Sequence, residues 1–149
     1  MIFMKICIAC SAGGHLTEVL QLKKAFRKYP HFFVTFKRED VDRLFDEKLY
    51  YIKDPKRNPF KLFYNLIQSL KIFLKERPNV IITTGAGVVV PICYIAKIFK
   101  SKIIFIESMA AIYKPSLSGR LVYPISDLFV VQWRNLLKYY PKAIYGALL

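Results

Sequence analysis

A doubly wound parallel α/β sheet is the fold this sequence predicts, and three observations carry the prediction. Apolar runs alternate with amphipathic stretches at intervals of roughly twenty to thirty residues, the spacing of right-handed βαβ units. Several of the runs carry almost no polar residues, as expected of strands covered by helices on both faces. The first and fourth runs end in glycine-bearing turns, Ser11-Ala12-Gly13-Gly14 and Thr84-Gly85-Ala86-Gly87. A chain of 149 residues has room for about one domain, so residues 1–149 are expected to form a single unit with a sizeable core.

Ile2 to Ala9, rich in β-branched and aromatic side chains, is predicted as the first strand. After the glycine turn, Leu16, Val19, Leu20 and Phe26 recur at helical spacing as far as Tyr29, and Pro30 stops the pattern. Phe32 to Phe36 is a second strand leading into Lys37-Arg38-Glu39-Asp40. Val41 to Lys48 reads as a short helix and Leu49 to Ile52 as a third strand. Asp54 to Pro59 is a loop by composition. It introduces a long helix, Phe60 to Lys75, in which Phe63, Leu66, Ile67, Leu70, Phe73 and Leu74 fall at steps of three and four. Lys61, Lys75 and Arg77 flank that stripe and Lys71 lies on its margin. Such a stripe is ordinarily a core-facing surface. The alternative is that its aromatic edge, with Phe60, Phe63 and Tyr64, touches a membrane surface while Lys61 and Lys71 meet anionic headgroups at the rim.

Val80 to Thr84 is the fourth strand, and the glycine turn after it opens a helix from Val88 to Lys100 with Pro91 in its first turn. The stretch from Val80 to Ala96 is uncharged, but the turn and Pro91 break it into strand, loop and helix; a membrane span needs about twenty apolar residues in one helix. Lys102 to Ile106 is a fifth strand ending at Glu107-Ser108. A loop from Met109 to Ser118, a short helix over Gly119 to Pro124 and a strand over Leu128 to Val131 follow. The tail, Trp133 to Leu149, is aromatic and ends on Ala147-Leu148-Leu149.

Twenty-four Lys and Arg against ten Asp and Glu give a net charge of +14, which favours an anionic partner such as nucleic acid, a lipid surface or a phosphorylated substrate. No nucleic-acid motif is present and the aromatics sit at core spacing, so nucleic acid is not the expected partner. Three cysteines, Cys7, Cys10 and Cys93, do not suit a secreted disulfide framework. Cys7 and Cys10 have C-x-x-C spacing, yet three residues apart on a strand they point to opposite faces, and burial is expected for both. No carboxylate pair of the metal-binding kind is evident, and neither metal nor cofactor is expected.

In the common doubly wound strand order the first and fourth strands lie side by side at the topological switch point, and ligands bind beyond their carboxyl ends. Both glycine turns are therefore expected to meet there, with Glu107 at the end of the next strand. Glycines let the backbone approach a phosphate, and the N–H groups of the following helix turn face the anion. The turns lack the G-x-G-x-x-G spacing, and Lys37 and Arg38 stand where a nicotinamide dinucleotide site would want a ribose-binding acid, so an NAD enzyme is disfavoured. His15, at the mouth of the first turn, and Glu107 are rival candidates for a general base.

Across Ser11-Ala12-Gly13-Gly14-His15-Leu16-Thr17-Glu18, Thr84-Gly85-Ala86-Gly87, Ile106-Glu107-Ser108, Ser118-Gly119-Arg120-Leu121, Val131-Gln132-Trp133 and Tyr140-Pro141-Lys142-Ala143-Ile144-Tyr145-Gly146, the chain resembles one family. It is similar to the acceptor-side, membrane-associating subunits of bipartite glycosyltransferases: the anchoring subunit of the UDP-N-acetylglucosamine transferase of dolichol-linked oligosaccharide synthesis, and its bacterial counterparts in capsule and exopolysaccharide synthesis. The resemblance implies a Rossmann-like domain equivalent to the N-terminal half of a GT-B glycosyltransferase. It implies a separate partner subunit holding the UDP-sugar donor, and a polyprenyl-diphosphate-linked saccharide acceptor. Ser11, Ala12, Gly13, Gly14, Thr84, Gly85, Ala86, Gly87, Lys37 and Arg38 would then face acceptor and phosphate, with His15 or Glu107 catalytic. The chain departs from the eukaryotic branch in having no membrane anchor ahead of the first strand, so a peripheral location on the cytoplasmic face of a membrane is expected. A non-catalytic scaffold that recruits and activates the donor-binding partner is the rival expectation.

Overall fold

The computed structural model describes residues 3–44 and 46–148. Among them, seven parallel strands form one sheet in the order β3-β2-β1-β4-β5-β6-β7. These are β1 (Ile6–Cys10), β2 (His31–Thr35), β3 (Leu49–Tyr51), β4 (Val80–Gly85), β5 (Lys102–Ile106), β6 (Leu128–Val131) and β7 (Ile144–Tyr145). The helices are α1 (Gly14–Leu20), α2 (Lys23–Phe26), α3 (Pro59–Glu76), α4 (Val90–Ile98) and α5 (Leu117–Val122). The strand order reverses between β1 and β4, which pair through Ile6 with Val80, Cys7 with Ile81 and Ile8 with Ile82. That is the switch point, and the predicted Rossmann-like, doubly wound architecture is the one observed.

The central strand β1 buries both faces. On β1, Cys7 and Ala9 join the cluster under α3, α4 and α5, with Phe32, Ile81, Ile103, Phe105 and Phe129. Ile6, Ile8 and Cys10 join the opposite cluster, with Leu16, Val19, Phe26 and Phe33. The period-2 alternation thus separates Cys7 from Cys10, and all three cysteines are free and buried.

Several predicted bounds move. Ile2 lies outside the described residues, and the first strand begins at Ile6. The helix predicted from Leu16 to Tyr29 is two helices: the N–H groups of Gln21 and Leu22 donate three residues back, to Glu18 and Val19, and that tight turn re-aims the chain so that Phe26 enters the core. Over Val41 to Lys48, where a helix is predicted, a 3-10 segment covers Glu39–Leu44, and Phe45 lies outside the described residues. The helix after β4 is preceded by a 3-10 turn, Gly87–Val89. Helix α5 starts at Leu117 because Ser116 caps it, its hydroxyl accepting from the Gly119 N–H. The tail adds a 3-10 segment, Arg134–Lys138, and the edge strand β7.

The largest departure concerns α3. The apolar stripe expected to face the core points outward: Phe60 is 85% exposed and Phe63 64%, and Leu66, Ile67, Leu70 and Leu74 are also exposed. The buried face is Asn65, Ser69, Ile72, Phe73 and Glu76. Hydrogen bonds dock this polar stripe. The Asn65 amide donates to the carbonyls of Lys53 (2.8 Å) and Val88 (3.0 Å), and the Ser69 hydroxyl donates to Asn65 (2.9 Å). Glu76 receives Lys5 (3.1 Å), Lys48 (2.5 Å) and the Tyr50 hydroxyl. With every buried polar position on it partnered, the helix docks through these polar residues together with Ile72 and Phe73, the one member of the predicted stripe that is buried, and leaves the rest of that stripe largely exposed. Among the described residues no helix is long and apolar enough to cross a membrane.

Candidate functional site

The two glycine turns meet at the carboxyl ends of β1 and β4 and are joined by a reciprocal pair of bonds. Thr84 Oγ1 donates to the His15 carbonyl (2.7 Å), and His15 Nδ1 donates to the Thr84 carbonyl (2.8 Å). A carbonyl oxygen only accepts, so Nδ1 carries a proton, and in the neutral imidazole Nε2 is left with the free lone pair. The ring is half-buried. This tautomer is the one a base at the mouth of the crevice requires.

Backbone geometry explains two of the glycines from within. Gly13 precedes α1 at φ 86°. Gly85 has φ 102°, and a Cβ there would lie 3.0 Å from Ser118 Oγ and 3.1 Å from the Phe105 ring. Ala86 also has positive φ, 84° with ψ 155°, a conformation nearly reserved for glycine; its N–H donates to Ser118 Oγ (3.1 Å), which holds the turn. Gly14 and Gly87 differ. Neither has positive φ, and a Cβ on either would meet no atom within 4 Å. Open space lies over both, so nothing inside the chain demands glycine at these two positions.

Glu107 is fully buried. Its Oε1 accepts from Ser116 Oγ (2.6 Å) and the Ser108 N–H (3.2 Å), and its Oε2 from the Ser116 N–H (3.2 Å) and the Tyr140 hydroxyl (2.8 Å). A carboxylate offers about four lone-pair directions, and all are engaged. Burial, with the hydrogen bond to Glu107, raises the Tyr140 hydroxyl far above its ordinary range and keeps it protonated as a donor. The structure therefore turns Glu107 away from use as a base on a substrate hydroxyl; it ties the end of β5 to the cap of α5 and to the tail.

Glu18 performs a matching task from α1, and sequence reasoning gave it no site role. It accepts from Ser108 Oγ (2.9 Å), the Met109 N–H (3.1 Å) and Gln132 Nε2 (3.3 Å), while Gln132 also donates to the Glu107 carbonyl (3.0 Å). Glu18, Glu107 and Gln132 thereby join the ends of β1, β5 and β6. The available signal was a carboxylate one helical turn beyond Gly14 on the same face.

Of the remaining predicted residues, Ser11 is buried and donates to the Ala12 carbonyl (3.3 Å), and Ala12 is buried, so both side chains shape the turn from inside. Lys37 and Arg38 are exposed at the end of β2. Lys37 lines a cleft of about 370 Å³ with Lys53, Lys56 and Lys61, a lining that contains neither glycine turn. A second cleft, about 360 Å³ and mostly apolar, lies between the start of α3 and α5; Pro59, Leu62, Val90, Leu117 and Leu121 line it, together with Gly87 and Ser118. No group of three or more His, Cys, Asp or Glu side chains that could hold a metal ion occurs among the described residues.

In fold, the chain is similar to MurG of Acinetobacter baumannii, with a TM-score of 0.80 over 96% of this chain and 45% of that one at 11% identity. In sequence it is 26% identical over 176 residues to the mouse UDP-N-acetylglucosamine transferase subunit ALG14, covering 95% of this chain and 81% of the relative. It is 44% identical over 92 residues to the Candida albicans subunit of the same name, covering 58% of this chain but 42% of that protein. Residues 55–149 match the family model described as "Oligosaccharide biosynthesis protein Alg14 like". That stretch contains the second glycine turn, Glu107, the α5 cap and the tail, and with it matched over more than half its length the chain belongs to the Alg14-like family.

Proposed function

We propose that this chain is the acceptor-binding, membrane-associating subunit of a two-component glycosyltransferase, one that moves a sugar from a UDP-sugar to a polyprenyl-diphosphate-linked saccharide. The observation that carries the reading is the pairing of His15 with Thr84, which joins both glycine turns and engages Nδ1 of the ring rather than Nε2. Open space above Gly14 and Gly87 supports close approach of a ligand to the backbone, and the apolar cleft that Gly87 helps to line offers a course for a lipid chain beside an anionic group. The mouse and Candida albicans relatives are named as transferase subunits, which supports a role beside a partner subunit.

In the reaction so assigned, an acceptor hydroxyl attacks the anomeric carbon of the donor. The new C–O bond forms as the bond to the diphosphate breaks, UDP leaves with the electron pair, and His15 Nε2 takes the hydroxyl proton. Glu107 and Glu18 act as positioning residues. The outward face of α3, with Phe60, Phe63 and Tyr64 and with Lys61 and Lys71 at its margin, rests on the cytoplasmic surface of a membrane without spanning it.

Reconstitution with the donor-binding partner and a lipid-linked acceptor tests this. His15→Ala is expected to lower kcat by about 10²–10⁴-fold, the usual contribution of a general base, with assembly intact. Full transfer by this chain alone, or undiminished activity of His15→Ala, overturns the reading. A scaffold role is favoured by one feature: a cleft of about 480 Å³ beside the edge strand, lined by Met109, Trp133, Arg134, Tyr145 and Ala147. On that reading Trp133→Ala and Tyr145→Ala abolish activity while His15→Ala leaves it intact. Leu149, at the end of the same tail, lies outside the described residues.

A further inference from the structure

The cleft beyond β2 and β3 gathers cations that the crevice chemistry does not use. Lys37 comes from the end of β2, Lys53 from the segment after β3, Lys56 from the following loop and Lys61 from the first turn of α3, with Asp54 the lone acid in the lining. Five lysines elsewhere form ion pairs: Lys5 and Lys48 with Glu76, Lys23 with Glu47, Lys97 and Lys102 with Asp127. In the cleft, no described carboxylate forms an ion pair with any of the four. Asp54 is turned to the backbone, accepting from the Lys56 N–H (3.3 Å).

The cleft is also held in shape. The Lys53 N–H donates to Gln68 Oε1 (2.7 Å) and the Lys53 carbonyl accepts from Asn65 (2.8 Å), so α3 grips this residue at both ends of its peptide unit. The Lys61 N–H is fixed by the Asn58 cap (3.2 Å). Four lysines against one carboxylate in the lining of one concavity leave it with an excess of positive charge that an anion would offset. The rim belongs to the same turn of α3 that turns Phe60, Phe63 and Tyr64 outward.

We infer that this cleft is a second anion site, separate from the glycine turns, and that its ligand is the phosphate of a bilayer lipid headgroup seated while the α3 aromatics enter the acyl boundary. The inference rests on the membrane-facing reading of α3 given above. It adds a stoichiometric contact to what would otherwise be diffuse attraction of a +14 chain to an anionic surface.

Co-sedimentation of the full chain with vesicles tests it. Three compositions serve: phosphatidylcholine alone, phosphatidylcholine with phosphatidylglycerol, and phosphatidylcholine with phosphatidic acid at matched surface charge. Two double variants remove the same charge, Lys37→Gln with Lys53→Gln in the cleft and Lys24→Gln with Lys100→Gln at exposed positions away from it. The cleft pair is expected to weaken binding to anionic vesicles about tenfold, the control pair less than about threefold, with binding to phosphatidylcholine alone unchanged in both. Equal losses in the two variants mean diffuse attraction and overturn the site. Saturation of the cleft by inorganic phosphate, read from Lys53 chemical shifts, with anionic-vesicle binding unaffected assigns it to a soluble phosphate and overturns the lipid assignment. Wild-type protein that binds no vesicle of any composition defeats the membrane reading of α3 itself, an outcome distinct from the other two.

Discussion

A methyl group at position 119 would overlap the Glu107 carboxylate and lie 2.6 Å from the Tyr140 hydroxyl and 2.9 Å from Ser116 Oγ. The glycine of Ser118-Gly119-Arg120-Leu121 is small because three polar groups meet over it. Gly119→Ala is accordingly expected to cost about 1–3 kcal/mol, the usual penalty for overpacking, in denaturant unfolding. Glu107→Gln sets an amide N–H against groups that themselves donate, leaving a buried donor unmatched at about 1–3 kcal/mol. His15→Ala gives up one half-exposed hydrogen bond and should cost at most about 1 kcal/mol. The two candidates for the base thus separate in unfolding curves: the substitution most damaging to stability is Glu107→Gln, and the one most damaging to turnover with stability retained is His15→Ala. Sequence placed both residues at the crevice but could not rank them, because the partners that occupy Glu107, Ser116 and Tyr140, lie 9 and 33 residues away.

Helix α3 shows how a correct periodicity can carry the wrong sense. The stripe from Phe63 to Leu74 is real, and its spacing is what either a core or a lipid surface asks of a helix. What decided the orientation was the other stripe: Asn65, Ser69 and Glu76 fall on one face, Asn65 and Glu76 find polar partners outside the helix, and Ser69 donates to Asn65. Polar residues repeating at helical spacing were the legible signal, outweighed by the larger apolar count. Replacing Phe60 and Phe63 together by Ser should leave the unfolding free energy within about 0.5 kcal/mol, as for surface positions generally, while reducing binding to neutral vesicles. Asn65→Ala should do the reverse, costing at least about 2 kcal/mol by stranding the Lys53 and Val88 carbonyls and the Ser69 hydroxyl.

At the scale of the molecule, strand order and switch point were readable because buried parallel strands announce themselves as uncharged β-branched runs. The edge strand β7 was not, since Ile144 and Tyr145 are too short a run to show a period. The sheet also sets the chemistry of its cysteines: burial pushes the Cys10 and Cys93 thiols up to about 12 and holds the Cys7 thiol well above its ordinary range. No cysteine should react with a thiol reagent at pH 8 in the native state, and all three should react once the chain is unfolded. Glu76 and Asp127 both lend stability that acid removes, and Glu76 is the more strongly shifted. Lys48, Tyr50 and Lys5 outweigh its desolvation and lower its carboxyl from 4.5 to about 2, so its contribution is complete above 4.5 and is lost as pH falls through that interval. Glu76→Gln should flatten the fall in thermal stability between pH 4.5 and pH 2. Docking α3 by its polar side reaches further still, into the heat capacity of unfolding. That quantity grows with apolar surface newly wetted, and Phe60, Phe63, Leu70, Leu74 and, at the end of α4, Ile98 with the following Phe99 are already partly wet in the folded chain. Calorimetry should find less than the roughly 12–15 cal/mol/K per residue of ordinary domains, giving a stability curve flatter with temperature and less prone to cold denaturation.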